Sequence, residues 1–145
     1  MKFILKIAIL LMFLAFSCSQ EEAEIDPSAT SLIIESSTIY SIEDLTNAGW
    51  KKDREFDNSE YPETVEIAYG FFQRKDIEAW VYKSPDEAKK FGVPYGEQAV
   101  DKKPGQTDYL IPRVNRYHAY VIVGNLMLLC ETEILDCQNL INKFE

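Results

Sequence analysis

The sequence predicts an α+β fold, an antiparallel sheet of about four strands in two hairpins with helices packed on one face. Its element order reads α-ββ-α-ββ-α. Two observations carry this. Residues 64–82 and 117–131 each hold two stretches of strand character around a short turn. Apolar residues at helical spacing follow capping signals at Ser41 and Ser84, and a third helical stretch follows Cys130.

The elements follow in chain order. Ser31 to Tyr40, "SLIIESSTIY", is a strand or extended segment opening the domain. Ser41 and Asp44 resemble a capping box, Ile42, Leu45 and Ala48 form the apolar stripe, and Gly49 suits the left-handed C-terminal position. Trp50 is expected to pack back on that stripe. "KKDREFDNSEYPE" reads as a charged connection. Its acids, Asp53, Glu55, Asp57 and Glu60, do not make a calcium loop. Counting from Asp53, the sixth and twelfth positions hold Asn58 and Thr64 rather than glycine and glutamate.

From Thr64 to Phe72, Val65, Ile67, Tyr69 and Phe71 alternate with Glu66, Ala68 and Gly70. Gln73 to Asp76 turns the chain, and Ile77 to Tyr82 returns. "SPDE" then supplies a cap, a proline at the first helical position and a glutamate closing the box. Ala88, Phe91, Tyr95 and Ala99 keep helical spacing, although Gly92 and Pro94 should kink or break that helix. Asp101 to Arg116 has no sustained period and reads as a long loop. Tyr117 to Val123 and Leu126 to Glu131 are strands joined at Gly124-Asn125. Their apolar run, "AYVIVGNLMLLC", places them mid-sheet, covered on more than one face. Residues 64–91 and 117–144 both read strand–strand–helix, which hints at a duplication.

The first residues belong to no part of this fold. Lys2 and Lys6 precede an apolar run of ten residues, Ile7 to Phe16, against the roughly 20 that cross a bilayer core. A basic start and a short apolar stretch describe a secretory signal, residues 1–17. Leu14-Ala15-Phe16-Ser17-Cys18 resembles the lipobox of bacterial lipoproteins, with Ala15 where leucine is commoner. That resemblance implies that Cys18 becomes the lipid-bearing first residue, modified with acyl chains such as palmitate. An ordinary signal peptide cut near Ser17 would instead leave Cys18 a free thiol. Residues 18–30 continue as a polar, acidic tether that cannot bury enough surface to offset its ordering entropy. One domain, residues 31–145, follows. The element order and the "VGNLMLLCE…C" ending resemble a group of small bacterial lipoproteins of uncharacterised function. The resemblance implies an extracytoplasmic, membrane-anchored protein and carries over no site.

Charge narrows the partners. The chain has 15 basic and 24 acidic residues, net −9, and removing residues 1–17 takes away two lysines and no acid. A mature domain this acidic repels nucleic acid and anionic lipid alike. With Cys18 lipidated, Cys130 and Cys137 remain as an even pair in an oxidising compartment. Both fall on core-facing positions where the last strand hands over to the last helix. A disulfide there would contribute about 2.5 kcal/mol in the chain-entropy model; free buried thiols are the alternative.

Catalytic signatures are missing from the chain. His118 is the single histidine, and no GxSxG, phosphate loop or HExxH occurs. The sequence therefore points to no catalytic residue, metal site or cofactor. Aromatic and basic residues offer more. Trp80 and Tyr82 share one strand face, and Tyr109, Arg113, Arg116, Tyr117 and Tyr120 gather in or beside the long loop, which Lys102 and Lys103 open. Such a patch suits an anionic or sugar-like small molecule, or an envelope protein. The same aromatics also suit a core, with the cations as ordinary surface. Three readings stand: a non-enzymatic binding domain, a small carboxylate-based hydrolase, and a structural or inhibitory envelope protein.

Overall fold

A computed structural model describes residues 26–101 and 116–144. The signal, Cys18, most of the tether, and Tyr109 and Arg113 lie outside the described residues. Strands β1 (Ser31–Ile34), β2 (Lys51–Phe56), β3 (Thr64–Phe72), β4 (Lys75–Tyr82), β5 (Ala119–Val123) and β6 (Leu126–Cys130) form a sheet in the order β1-β5-β6-β4-β3-β2. The α+β class holds, but among the described residues there are six strands rather than four, and the sheet is mixed. β1 runs parallel to β5, with Ser31 opposite Tyr120, while the other pairs are antiparallel.

One added strand comes from the segment read as a charged connection. All but Phe56 in β2 are exposed, so no core-facing alternation marks it. It is an edge strand on β3, bulged between Lys52 and Arg54, and its charges deter further strand pairing. The other hairpins follow the sequence closely. The β3–β4 turn is shorter than expected: Gln73 and Arg74, both at positive φ, form it, and β4 begins at Lys75.

The helices are α1 (Ile42–Asn47), α2 (Pro85–Glu87), a π-helical turn (Ala88–Gly92), α3 (Val93–Val100) and α4 (Ile134–Ile141). Ser41 and Asp44 form the expected capping box on α1. Gly92 and Pro94 do not break the second helix. The proline ring would clash with the carbonyl four residues back, and the wider π turn immediately before it opens the helix at that place. Thus α2, the π turn and α3 run on as one helical body.

Helices cover both faces, not one. On the first face Ile77, Ala79, Val81, Val121 and Leu128 pack against Leu45 of α1 and Ile134, Cys137 and Leu140 of α4. Trp50 packs here too, and its indole N–H donates to the Ile77 carbonyl at 3.2 Å. On the second face Ile67, Trp80, Tyr82, Tyr120, Ile122, Met127 and Leu129 meet Ala88, with Phe91 and Tyr95 at the margin. β5 and β6 are buried along their whole length, as their unbroken apolar run predicts.

This placement counts against a duplication. β4 and β6 are antiparallel neighbours, so a two-fold axis relating the two hairpins would stand perpendicular to the sheet. It would leave both following helices on one face. Instead the helix after β4 lies on the second face and α4 on the first.

Three local devices tie the fold. Cys130, at the end of β6, and Cys137, on α4, bring their sulfurs to 1.99 Å with Cα atoms 5.6 Å apart. The buried Asp136 carboxylate caps the start of α4, accepting the Thr132 and Glu133 amides at 2.8 and 3.1 Å. At the β5–β6 turn Gly124 supplies positive φ, and the buried Asn125 side chain reaches the extended segment before α1. Among the described residues no helix is long and apolar enough to cross a membrane.

Candidate functional site

Two groups of polar side chains stand out, both on the second face. The first lies where α3 crosses β5 beside the sheet edge. Gly96 makes the close approach possible, because a Cβ there would sit 2.5 Å from the Tyr120 ring. The helix thus rests on Tyr120 while its last turn stands off β1. The space between is a cleft of about 630 Å³ lined by Thr30, Ser31, Pro94, Glu97, Gln98, Val100, Asp101 and Tyr120. Burial pushes the Tyr120 phenol up, partly countered by the Ser31 hydroxyl. Hydroxyls, an amide and two carboxylates face the cleft, and among the described residues no lysine or arginine does. Such a lining accepts hydrogen bonds and favours positive charge.

The second group is built on β4, whose alternation puts Asp76, Glu78 and Trp80 on one face. Glu78 is held at both oxygens, accepting the Trp80 indole N–H at 2.8 Å and the Tyr117 hydroxyl at 2.9 Å. Burial first, and the Glu78 carboxylate second, raise the Tyr117 phenol well above its ordinary value. Tyr69, opposite Glu78 on β3, carries the guanidinium of Arg54 5.2 Å and that of Arg116 4.9 Å from its ring centre. Arg116 also lies 3.8 Å from Asp76. Beyond Trp80, the rings of Tyr61, Trp80 and Tyr95 pack mutually, with centroids 4.8 to 5.0 Å apart. Burial, with Tyr61 and then Glu63 beside it, pushes the Tyr95 phenol up to about 12.

The sequence-derived patch is therefore divided. Trp80 and Tyr82 belong to the buried aromatic cluster, at 6% and 1% exposure. Tyr120 is also buried, yet one side of it lines the cleft. Arg116 sits over Tyr69 at the far margin. β5 begins two residues later than expected, at Ala119, and the Tyr117 side chain before it turns toward Glu78.

Several residues went unselected. Glu78 could have been found from its spacing of two from Trp80, and Glu97 with Asp101 from their spacing of four on a helix. Nothing local in "TS" signals that Thr30 and Ser31 line a cleft. Among the described residues no group of three or more histidine, cysteine, aspartate or glutamate side chains is placed to hold a metal ion.

Fold and site together define an α+β domain with a polar, acidic cleft between an edge strand and a helix end. Residues 41–110 are similar to a family described as "Family of unknown function (DUF6810)". That stretch runs from the cap of α1 through β2, β3, β4 and α3, and leaves out β1, β5, β6 and α4. No curated protein and no solved structure matches the chain.

Proposed function

We propose that this chain is a lipid-anchored extracytoplasmic protein whose single domain binds a small molecule or an envelope protein and performs no chemistry on it. The observation that carries the binding reading is the cleft beside β1, where five side chains able to hydrogen-bond converge with Tyr120 around one concavity. The anchor rests on the lipobox-like residues 14–18 and the short apolar run before them. Thr30 and Ser31 put the cleft about a dozen residues after Cys18. A fully extended tether of that length spans roughly 40 Å, so binding would take place close to the membrane surface.

The rival reading, a carboxylate-based hydrolase, has Asp76 and Glu78 as its best pair in the described residues. Both are committed to neighbours: Glu78 accepts two side-chain donors and Asp76 faces Arg116. A general acid or nucleophile needs a free oxygen directed at substrate. The pair therefore reads as a polar pin under the Tyr117 segment.

The test is a native mass spectrum of the full chain, gently extracted from its own cells, beside its denatured mass. Extra non-covalent mass, or a co-purifying protein, supports a binding domain. A bare chain that turns over glycoside or ester substrates in extract would overturn it. The denatured mass also reads the anchor. Cys18→Ser should remove the acyl mass and release the protein from membranes; unchanged partitioning and processing would sink the lipid assignment.

A further inference from the structure

The two edges of the sheet are built in opposite ways. β2 exposes Lys51, Lys52, Asp53, Arg54 and Glu55 in succession, a charged guard against strand addition. β1, "SLII", carries no charge, and Ile33 is 45% exposed. Among the described residues no strand pairs with its outer side. The Thr30 carbonyl turns inward to accept the Tyr120 amide at 3.0 Å. Alternation along the strand then aims the N–H and C=O groups of Ser31 and Ile33 outward. Ser31 also lines the cleft, so the unguarded edge and the acidic concavity are contiguous.

We propose that β1 and the cleft together receive an extended, lysine- or arginine-bearing segment of a partner protein, added to the sheet as a further strand. This rests on the binding reading above and gives it a partner class. A strand laid on the outer side of β1 would bond to Ser31 and Ile33 and send alternate side chains toward α3. There Glu97 and Asp101 stand one helical turn apart, with no cation among the described lining residues. Charge selects the occupant. Residues 18–30, which lead into β1, include Glu21, Glu22 and Glu24 and no lysine or arginine, and β1 of a second copy has no cation either. A basic segment complements a domain of net negative charge and is drawn to it from a distance.

The experiment measures fluorescence anisotropy of labelled peptides titrated with the full chain in detergent. The probes are a peptide alternating lysine with threonine, the same peptide N-methylated at every second amide, and a glutamate–threonine counterpart. The lysine peptide should bind. N-methylation should weaken it at least about tenfold, since it removes the edge hydrogen bonds. Glu97→Gln with Asp101→Asn should weaken it about tenfold, and the glutamate peptide should not bind. Equal binding of all three peptides, no binding, or an unchanged affinity in the double variant would each overturn the proposal. A dimer in ultracentrifugation that the lysine peptide cannot dissociate would assign the edge to a second copy instead. A bound small molecule in the native spectrum, with no peptide binding, would reject this partner and leave the binding reading standing. A bare chain with no peptide binding would reject both.

Discussion

Asn125→Ala should be among the most damaging single substitutions outside the apolar core. The side chain is 1% exposed and makes three hydrogen bonds. Its oxygen accepts the Tyr40 amide at 2.6 Å, and its NH₂ donates to the carbonyls of Tyr40 at 3.0 Å and Tyr82 at 2.9 Å. Each bond contributes about 1 kcal/mol net, and a buried group left without a partner costs about 1–3 kcal/mol more. Tyr40 is half-buried and can recover water, whereas the Tyr82 carbonyl is buried. The expected loss is therefore roughly 3–5 kcal/mol. Asn125→Asp separates hydrogen bonding from packing, because it keeps the shape and removes both donors. At neutral pH it sets a carboxylate against two carbonyl oxygens and should cost at least as much as alanine. Protonation restores one donor, so its deficit should shrink as pH falls. Urea unfolding followed through Trp50 and Trp80 fluorescence reads all three proteins. An alanine variant within about 1 kcal/mol of the parent, or an aspartate variant equal to it at pH 7, would refute this role for Asn125.

Four further outcomes follow from the fold. Replacing Cys130 and Cys137 together by alanine, or adding reductant, should cost about 2.5 kcal/mol in thermal unfolding; two alkylatable thiols before reduction and no shift on reduction would reject the bridge. Gln73→Asn with Arg74→Gly should stabilise by about 1 kcal/mol, because both positions hold positive φ, and chemical denaturation measures it. Hydrogen bonds from the Ser41 amide, then its hydroxyl, hold the Asp44 carboxyl below its ordinary 3.8. A depressed folded value gives stability that is present above the unfolded value and lost as pH falls through the folded one. Asp44→Asn should therefore flatten the stability–pH curve below about pH 4 and leave its shape above pH 5 unchanged. Gly96→Ala should lower stability by about 1–3 kcal/mol and, through α3, weaken whatever occupies the cleft, both readable by titration calorimetry and melting.

Much of the fold was legible because its strong signals are local. Capping residues at Ser41 and Ser84 and the alternation in 64–82 depend on near neighbours in the chain. So does the unbroken apolar run of the last hairpin. β2 was not legible, because an edge strand exposed on both faces has no alternation to read. The π turn was hidden for a related reason: Gly92 and Pro94 signal trouble for an α-helix without saying how the helix answers it. The face each helix covers is a tertiary choice that hairpin patterns leave open. For the candidate site, the aromatic composition found Tyr120 and Arg116 but could not separate Trp80 and Tyr82, which the sheet buries. Glu97 and Asp101 sit on a helix whose acids look like ordinary surface until β1 arrives beside them.

The parallel pairing of β1 with β5 has a consequence in time. Ser31 pairs with Tyr120, 89 positions later, and a polypeptide is made from its N-terminus. β2, β3 and β4 can form a meander from neighbouring segments, but β1 has no partner until the C-terminal hairpin has been synthesised. Contacts so far apart in sequence form late, since a large loop must close before they are rewarded. The cleft needs both β1 and Tyr120, so it cannot exist in a nascent or truncated chain that lacks β5. The cleft would therefore double as a report that synthesis had passed β5.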